Sequence, residues 1–216
     1  MISRAWHVKT ALPAEKAAIV RSLARGPSLL ELLTPEGKKE LRLVGGKAFS
    51  EALTINREYL LHGDFLAPAS DNDYEKANCF LLDDGKAGFA IGRTGWMMSL
   101  FSNEPWGGFA RMIGPFAGER ATKLVCIIAG DKEKSPLPKL YREAFGFVEV
   151  AATKDDTFSM TRAYGGDFVK AFLEHNGRPS HLFMAKGKSA VPKVVVFDDY
   201  LSAYRFVDEL TDSPLF

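Results

Sequence analysis

Apolar residues recur at helical spacing near the start of the chain. In LPAEKAAIVRSLARGPSLLELL, Ala18, Ile19 and Leu23, then Leu29, Leu30 and Leu33, follow a Pro and the acidic Glu15. The pattern predicts a helix over about 13–33, interrupted near Gly26-Pro27. TPEG breaks it, and ELRLVG (40–45) alternates like a short strand. Residues 47–75 carry the weakest pattern, with Ala48 to Leu53 helical and LAPASDNDYEKA loop-like. The centre is sharper. Asp84-Gly85 links strands at 78–82 and 86–92, and Arg93-Thr94-Gly95 leads into WMMSLFS (96–102), which together predict an antiparallel meander. A helix-like stretch follows Gly107-Gly108. KLVCIIAG (123–130) is a continuous apolar run, as expected of a strand buried on both faces. LPKLYREAFGFVEV then reads as a helix over 136–145, a C-cap at Gly146 and a strand over 147–152. GGDFVKAFLEHNG (165–177) predicts a short helix capped by Asp167. SHLFMA and KVVVF read as strands, and DDYLSAYRFVDEL as a last helix capped by Asp198 or Asp199. The order predicts an α/β fold with a mixed, mostly antiparallel sheet, locally parallel where helices intervene.

Length and composition narrow the class. The 216 residues suit one domain with extensions, and 46% hydrophobic content is enough for a sizeable core. With 28 Lys and Arg against 27 Asp and Glu, the net charge is +1, so charge offers no general case for nucleic-acid or membrane binding. Cys79 and Cys126 both stand in apolar stretches and read as buried free thiols of a reducing compartment. MISRAWHVKT lacks an apolar signal core, and the apolar runs fall far short of a membrane span, so the expectation is a soluble cytoplasmic protein.

Common catalytic signatures are missing from the sequence. There is no HExxH, no CxxC pair and no His cluster, since the four His stand at 7, 62, 175 and 181. Gly187-Lys188-Ser189 matches the tail of a P-loop, but position 182 is Leu rather than the first Gly. Neither GxSxG nor GxGxxG occurs.

Two stretches remain. In FSNEPWGGFARMI (101–113) a strand ends, a Gly-containing turn follows and a helix starts. Free backbone N–H groups at a helix start bind phosphate oxygens, and Gly107 and Gly108 let the backbone come close. A Gly-Gly before a helix is also a common plain turn. The second is Tyr141 in LPKLYREAFGFVEV, which serves either as a packing residue with its hydroxyl at the surface or as a proton donor.

Taken in order, these stretches resemble the GNAT superfamily of N-acetyltransferases over about residues 77–190. WMMSLFS looks like that family's bulged strand. PWGGFA looks like its pyrophosphate loop, with Gly108 and Ala110 on the G-x-A positions. KLVCIIA looks like the buried strand, and LYREAFGFVEV like the helix with Tyr and a Gly-Phe ending. The resemblance implies a single GNAT-like domain with a V-shaped splay in its sheet, an N-terminal extension over 1–75 and a C-terminal one over 191–216. It implies acetyl-CoA, or another acyl-CoA, held by Ser99, Leu100, Phe101, Trp106, Gly107, Gly108, Phe109 and Ala110. Tyr141 would be the general acid to the CoA thiolate. Pro105 stands where the family has Arg or Gln, which leaves a cradle of backbone only. Lys134 stands where it often has Asn. DKEKSPLPKLY and NGRPSHLFMA also resemble divergent GNAT-like proteins of phages and phage-like elements.

The function this implies is acyl transfer to an amine on a small molecule, a protein or a modified base. Two other readings stay open, a GNAT-fold phage protein that binds a host factor and a GNAT-related enzyme acting on DNA bases. No general base stands out. The bulged strand offers only Met97, Met98, Ser99 and Leu100. Glu104 reads as a first-turn residue favoured by the helix dipole. His62 and Asp64 lie on the expected acceptor side, and a base acting through water is the alternative. Trp96, Trp106 and Phe109 near the loop read as packing residues or as the wall of an acceptor pocket.

Overall fold

A computed structural model describes residues 10–60, 66, 69–104, 108–129, 136–154, 170, 179–186 and 193–212. Among them are nine strands and six helices, with both antiparallel and parallel strand pairs, an α/β architecture. The chain divides into two compact units, 1–112 and 113–216. Apart from Lys170, which is helical, the expected helix over 165–177 lies outside the described residues, as do Pro105, Trp106, Gly107, Lys134, His62, Asp64 and Gly187-Lys188-Ser189.

The first unit opens with α1 (Ala14–Leu23). The predicted helix does not continue to residue 33. Residues Ser28–Thr34 form β1, which pairs antiparallel with β2 (Gly37–Val44). Pro27 lacks the N–H a helix interior needs. Thr34 Oγ1 donates to the Gly37 carbonyl at 2.8 Å and accepts from the Glu36 N–H at 3.2 Å, which closes the hairpin turn. A register shift between Ser28 and Leu30 explains why the leucines do not alternate cleanly. The expected 40–45 strand is the second half of β2. The expected 48–53 helix is the middle of α2 (Gly46–Arg57). Within the loop-like stretch, Ser70 starts a short helix, α3 (Asp71–Glu75), through a capping box with Asp73.

The meander takes the predicted form, with β3 (Asn78–Leu82), β4 (Ala87–Ile91) and β5 (Trp96–Ser102). The unit's five strands run in the order β1-β2-β3-β4-β5, each antiparallel to the next. One sheet face packs on α2 and α3. Phe49, Ala52 and Leu53 from α2 and Tyr74 from α3 meet Cys79, Leu81, Ala90 and Phe101. The Phe49 ring lies 5.1 Å from Tyr74 and 5.8 Å from Phe101. Each such buried aromatic contributes about 1.5–3 kcal/mol of transfer free energy.

The unit boundary falls within α4 (Phe109–Gly118). The second unit continues with β6 (Lys123–Ala129), α5 (Pro136–Phe145), β7 (Phe147–Thr153), β8 (Pro179–Lys186), β9 (Val195–Phe197) and α6 (Tyr200–Asp212). Here β8 pairs antiparallel with both β6 and β7, and β9 runs parallel to β7. Gly146 ends α5 at φ +75°, and its N–H donates to the Arg142 carbonyl at 3.1 Å. Asp199 caps α6 by accepting from the Ser202 N–H at 2.9 Å. The helix α4 passes so close to α5 that a Cβ on Gly114 would sit 2.0 Å from the Ala144 carbonyl oxygen.

The run at 123–129 is not uniformly apolar. Lys123 is wholly buried, and its ammonium donates to Asp208 Oδ1 at 2.6 Å and to Thr211 Oγ1 at 2.9 Å, both on α6. The charge on this strand is therefore neutralised by side chains of the last helix.

Candidate functional site

The strand expected to carry a bulge is irregular. Ala90 pairs with Ser99 but Ile91 pairs with Met97, so Met98 is unopposed on β5. The side chains beyond it are already engaged. Ser99 is buried, and its hydroxyl shares a 2.7 Å hydrogen bond with the Tyr74 hydroxyl. Phe101 packs into the α2–α3 core, and Leu100, half-buried, points to the opposite face. Ser99 and Phe101 thus have mainly backbone to offer a ligand. Trp96 and Phe109 are buried and serve packing.

Past the strand, Gly108 adopts φ +77°, a conformation in which other residues are strained. Its carbonyl accepts from the N–H groups of Arg111 at 2.9 Å and Met112 at 3.1 Å, which starts α4. The amides of Phe109 and Ala110 belong to the first turn, where no carbonyl of the helix can take them. Among the described residues beyond its chain neighbours, no atom stands within 4 Å of where a Gly108 Cβ would be.

At this end of the same sheet lies a charged cluster absent from the sequence reading. The Lys39 ammonium, on β2, donates to Asp84 Oδ2 and to Glu104 Oε1, both at 2.7 Å. Glu36 stands 3.2 Å from the same nitrogen, and Lys86 stands 3.9 Å from Asp84. Glu104 is not a first-turn residue. Since α4 begins only at Phe109, Glu104 stands two residues past the end of β5, with its side chain fully enclosed. Its Oε2 is buried with no hydrogen-bond partner. Next to it, Asn103 ties β5 to α2 by donating to the Asn56 carbonyl at 3.0 Å and to Asn56 Oδ1 at 2.9 Å.

The cluster separates its two inner acids. Burial pushes the Glu104 carboxyl up to about 7, assisted by the negative charge of Asp84 and opposed by Lys39. Burial works on Asp84 in the same direction, but hydrogen bonds from Lys39, from the protonated Glu104 carboxyl and from the Lys86 N–H keep it below its ordinary value. Burial alone would lower the Lys39 ammonium, and its bonds to Asp84 and Glu104 outweigh that and raise it. At neutral pH, then, Asp84 and Lys39 are ionised while Glu104 is poised to gain or lose a proton. Paired carboxyls pushed apart in this way can do acid–base work.

Tyr141 belongs to the second unit, on α5. Its ring is half-buried and lies 5.9 Å from Phe145. Its hydroxyl makes no hydrogen bond among the described residues. Burial raises the phenol well above its ordinary value, and the nearby Cys126 thiol adds to this. The group is therefore protonated at any physiological pH. The remaining reactive groups are subdued by burial. Cys79 is pushed up to about 12 and Cys126 is raised too, so neither thiol is a ready nucleophile. His181 is pulled down to about 4 and packs edge-on against Tyr200, with ring centroids 4.8 Å apart.

Among the described residues, no group of three or more His, Cys, Asp or Glu could hold a metal ion, and no helix is long and apolar enough to cross a membrane. No family model matches the sequence, and neither a curated protein nor a solved structure matches it.

Proposed function

We propose that this chain is an acyl-CoA-dependent N-acyltransferase of GNAT type, transferring an acetyl or related acyl group to an amine. One observation carries the reading. A bulged strand, β5, runs within six residues to a glycine at φ +77° and from it into α4. That unit offers uncommitted amides at a helix start, the arrangement that suits a pyrophosphate. In this role Gly108, Phe109 and Ala110 hold the pyrophosphate, and the backbone of Ser99, Leu100 and Phe101 runs along the pantetheine arm. Because Pro105 has no donor, the cradle is built from backbone alone.

In the reaction the amine nitrogen attacks the thioester carbonyl, the C–S bond breaks, and the sulfur leaves with the electron pair. Tyr141 is assigned the hydrogen bond to that sulfur. A phenol held above its ordinary value is the weaker acid of the two, so it donates a hydrogen bond to the developing thiolate and solvent supplies the proton. The nitrogen's proton passes to solvent. The test is ligand-dependent stability. Free CoA at a hundredfold excess over its Kd adds about 2.7 kcal/mol to the folded state and raises Tm. If neither CoA nor acetyl-CoA at millimolar concentration shifts Tm, the acyltransferase reading falls.

A further inference from the structure

One stretch of the first unit reads the same in both directions. From Pro27 to Pro35 the sequence is PSLLELLTP, which mirrors about Glu31 with Ser and Thr exchanged. Its central seven residues are β1, which pairs with β2 on one side; among the described residues no strand meets its other side. Thr34 faces Gly37 across the hairpin turn, so alternation along the ladder turns the N–H and C=O of Leu33 and Glu31 outwards. The register shift between Ser28 and Leu30 leaves Leu29 without a partner on β2. The side chains of Leu29 and Leu33 are exposed as well, at 46% and 73%. A sheet edge with open backbone groups and bare leucines is a template for a further strand.

We propose that this edge pairs with β1 of a second copy of the chain, antiparallel and two-fold about Glu31. The mirror symmetry of the sequence names the occupant. In that register Leu29 of one copy lies opposite Leu33 of the other, Leu30 opposite Leu32 and Ser28 opposite Thr34, so like meets like at each position. A two-fold interface demands such self-complementarity, and a two-fold pair closes on itself rather than growing into a fibre. The outward set maps onto itself too. The two Glu31 residues exchange N–H···O bonds on the axis, and each Leu33 faces Leu29 of the other copy. Pro27 and Pro35 flank the strand and stop the ladder at its ends, since proline has no N–H to add. Charge at the axis is balanced. Glu31 is bound by Lys38 of its own chain at 2.9 Å, so two acids meet there with two bases beside them. One added strand pair is a small interface, which makes this a weak, concentration-dependent dimer. The inference does not depend on the acyl-CoA reading.

Sedimentation velocity on the full chain, from micromolar to millimolar concentration, should show monomer passing to dimer. Amide exchange at Glu31 and Leu33 should slow over the same range. Glu31→Pro removes an N–H that β2 does not use, and with it both bonds on the axis, so the dissociation constant should rise by at least about tenfold. Glu31→Lys carries the test if the proline variant does not fold. Mixed with wild type, it sets an ammonium against a carboxylate on the axis. Native mass spectrometry should then show mixed pairs favoured over like pairs by about two- to fivefold beyond the statistical value. A chain that stays monomeric at every concentration, a dimer that Glu31→Pro leaves unchanged, or mixed pairs at their statistical share each overturn the proposal. All three outcomes leave the acyltransferase reading untouched.

Discussion

Lys123 and Lys39 are both withdrawn from water, one in each unit, and they are paired in opposite ways. Lys123 is buried at the start of β6, but its carboxylate neighbours Asp208 and Asp212 are 34% and 77% exposed. Those acids keep part of their hydration, so the contact neutralises one cation and fastens α6 at little cost. Lys39 instead shares its ammonium among three acids, and the innermost, Glu104, keeps no hydration. Burying a carboxyl there is unfavourable in its charged form, and the structure answers by raising its affinity for a proton. The difference separates a fastening from a poised group: what matters is whether the acid can still reach water.

Four measurements test that contrast. Lys123→Ala removes the buried end of the contact with Asp208 and Thr211, and should destabilise the second unit by about 1–2 kcal/mol. Urea unfolding would show the loss, and hydrogen exchange would place it in α6. If stability is unchanged, the fastening role is wrong. Glu104→Gln changes how stability varies with pH. With an ordinary value of 4.5 and a folded value of about 7, Glu104 contributes stability that is complete below about 4.5 and lost as pH climbs to about 7. Asp84, held low, works the other way and loses its contribution as pH falls. A Tm series from pH 4 to 8 should therefore decline less steeply in Glu104→Gln than in wild type. Identical slopes would remove the proton from Glu104. Gly108→Ala costs about 1 kcal/mol through its backbone conformation at φ +77°. It should also weaken CoA binding by more than it lowers stability. Tyr141→Phe sits at the lower end. No described hydrogen bond is lost, so Tm stays within the range of a neutral surface change, while turnover with CoA bound slows about a hundredfold. Full turnover by that variant would end the role of Tyr141.

Much of the fold is readable because local signals agreed with tertiary ones. Asp84-Gly85 and Thr94-Gly95 mark the meander turns, and Gly146 marks the end of α5. β1 was hidden because SLLELLT spaces its leucines as a helix would. Its strand form depends on hydrogen bonds to β2 across a hairpin and on a bulge, neither of which is written in seven residues. α3 was missed because its single turn rests on Ser70 and Asp73 rather than on periodicity. The charged cluster was illegible for a different reason. Lys39 meets Asp84 and Glu104 across 45 and 65 positions, through the register of a sheet. In sequence Glu104 is merely an acid before a helix. The side chains of Ser99 and Phe101 turned out to face the core because strand alternation fixes their direction, and a motif match does not report that.

The crossing of α4 over α5 at Gly114 gives a way to separate architecture from activity in a saturation library. Position 114 has no volume for any side chain, because Ala144 backbone occupies it. Sorting such a library for abundance alone should deplete every substitution there. Position 141, three residues from Ala144 on the same helix, should tolerate Phe in that sort. Depletion of Tyr141→Phe should emerge only when cells are selected for the reaction. Two neighbouring positions would then report on different pressures, one on whether the helices can meet and the other on what they do once they have met.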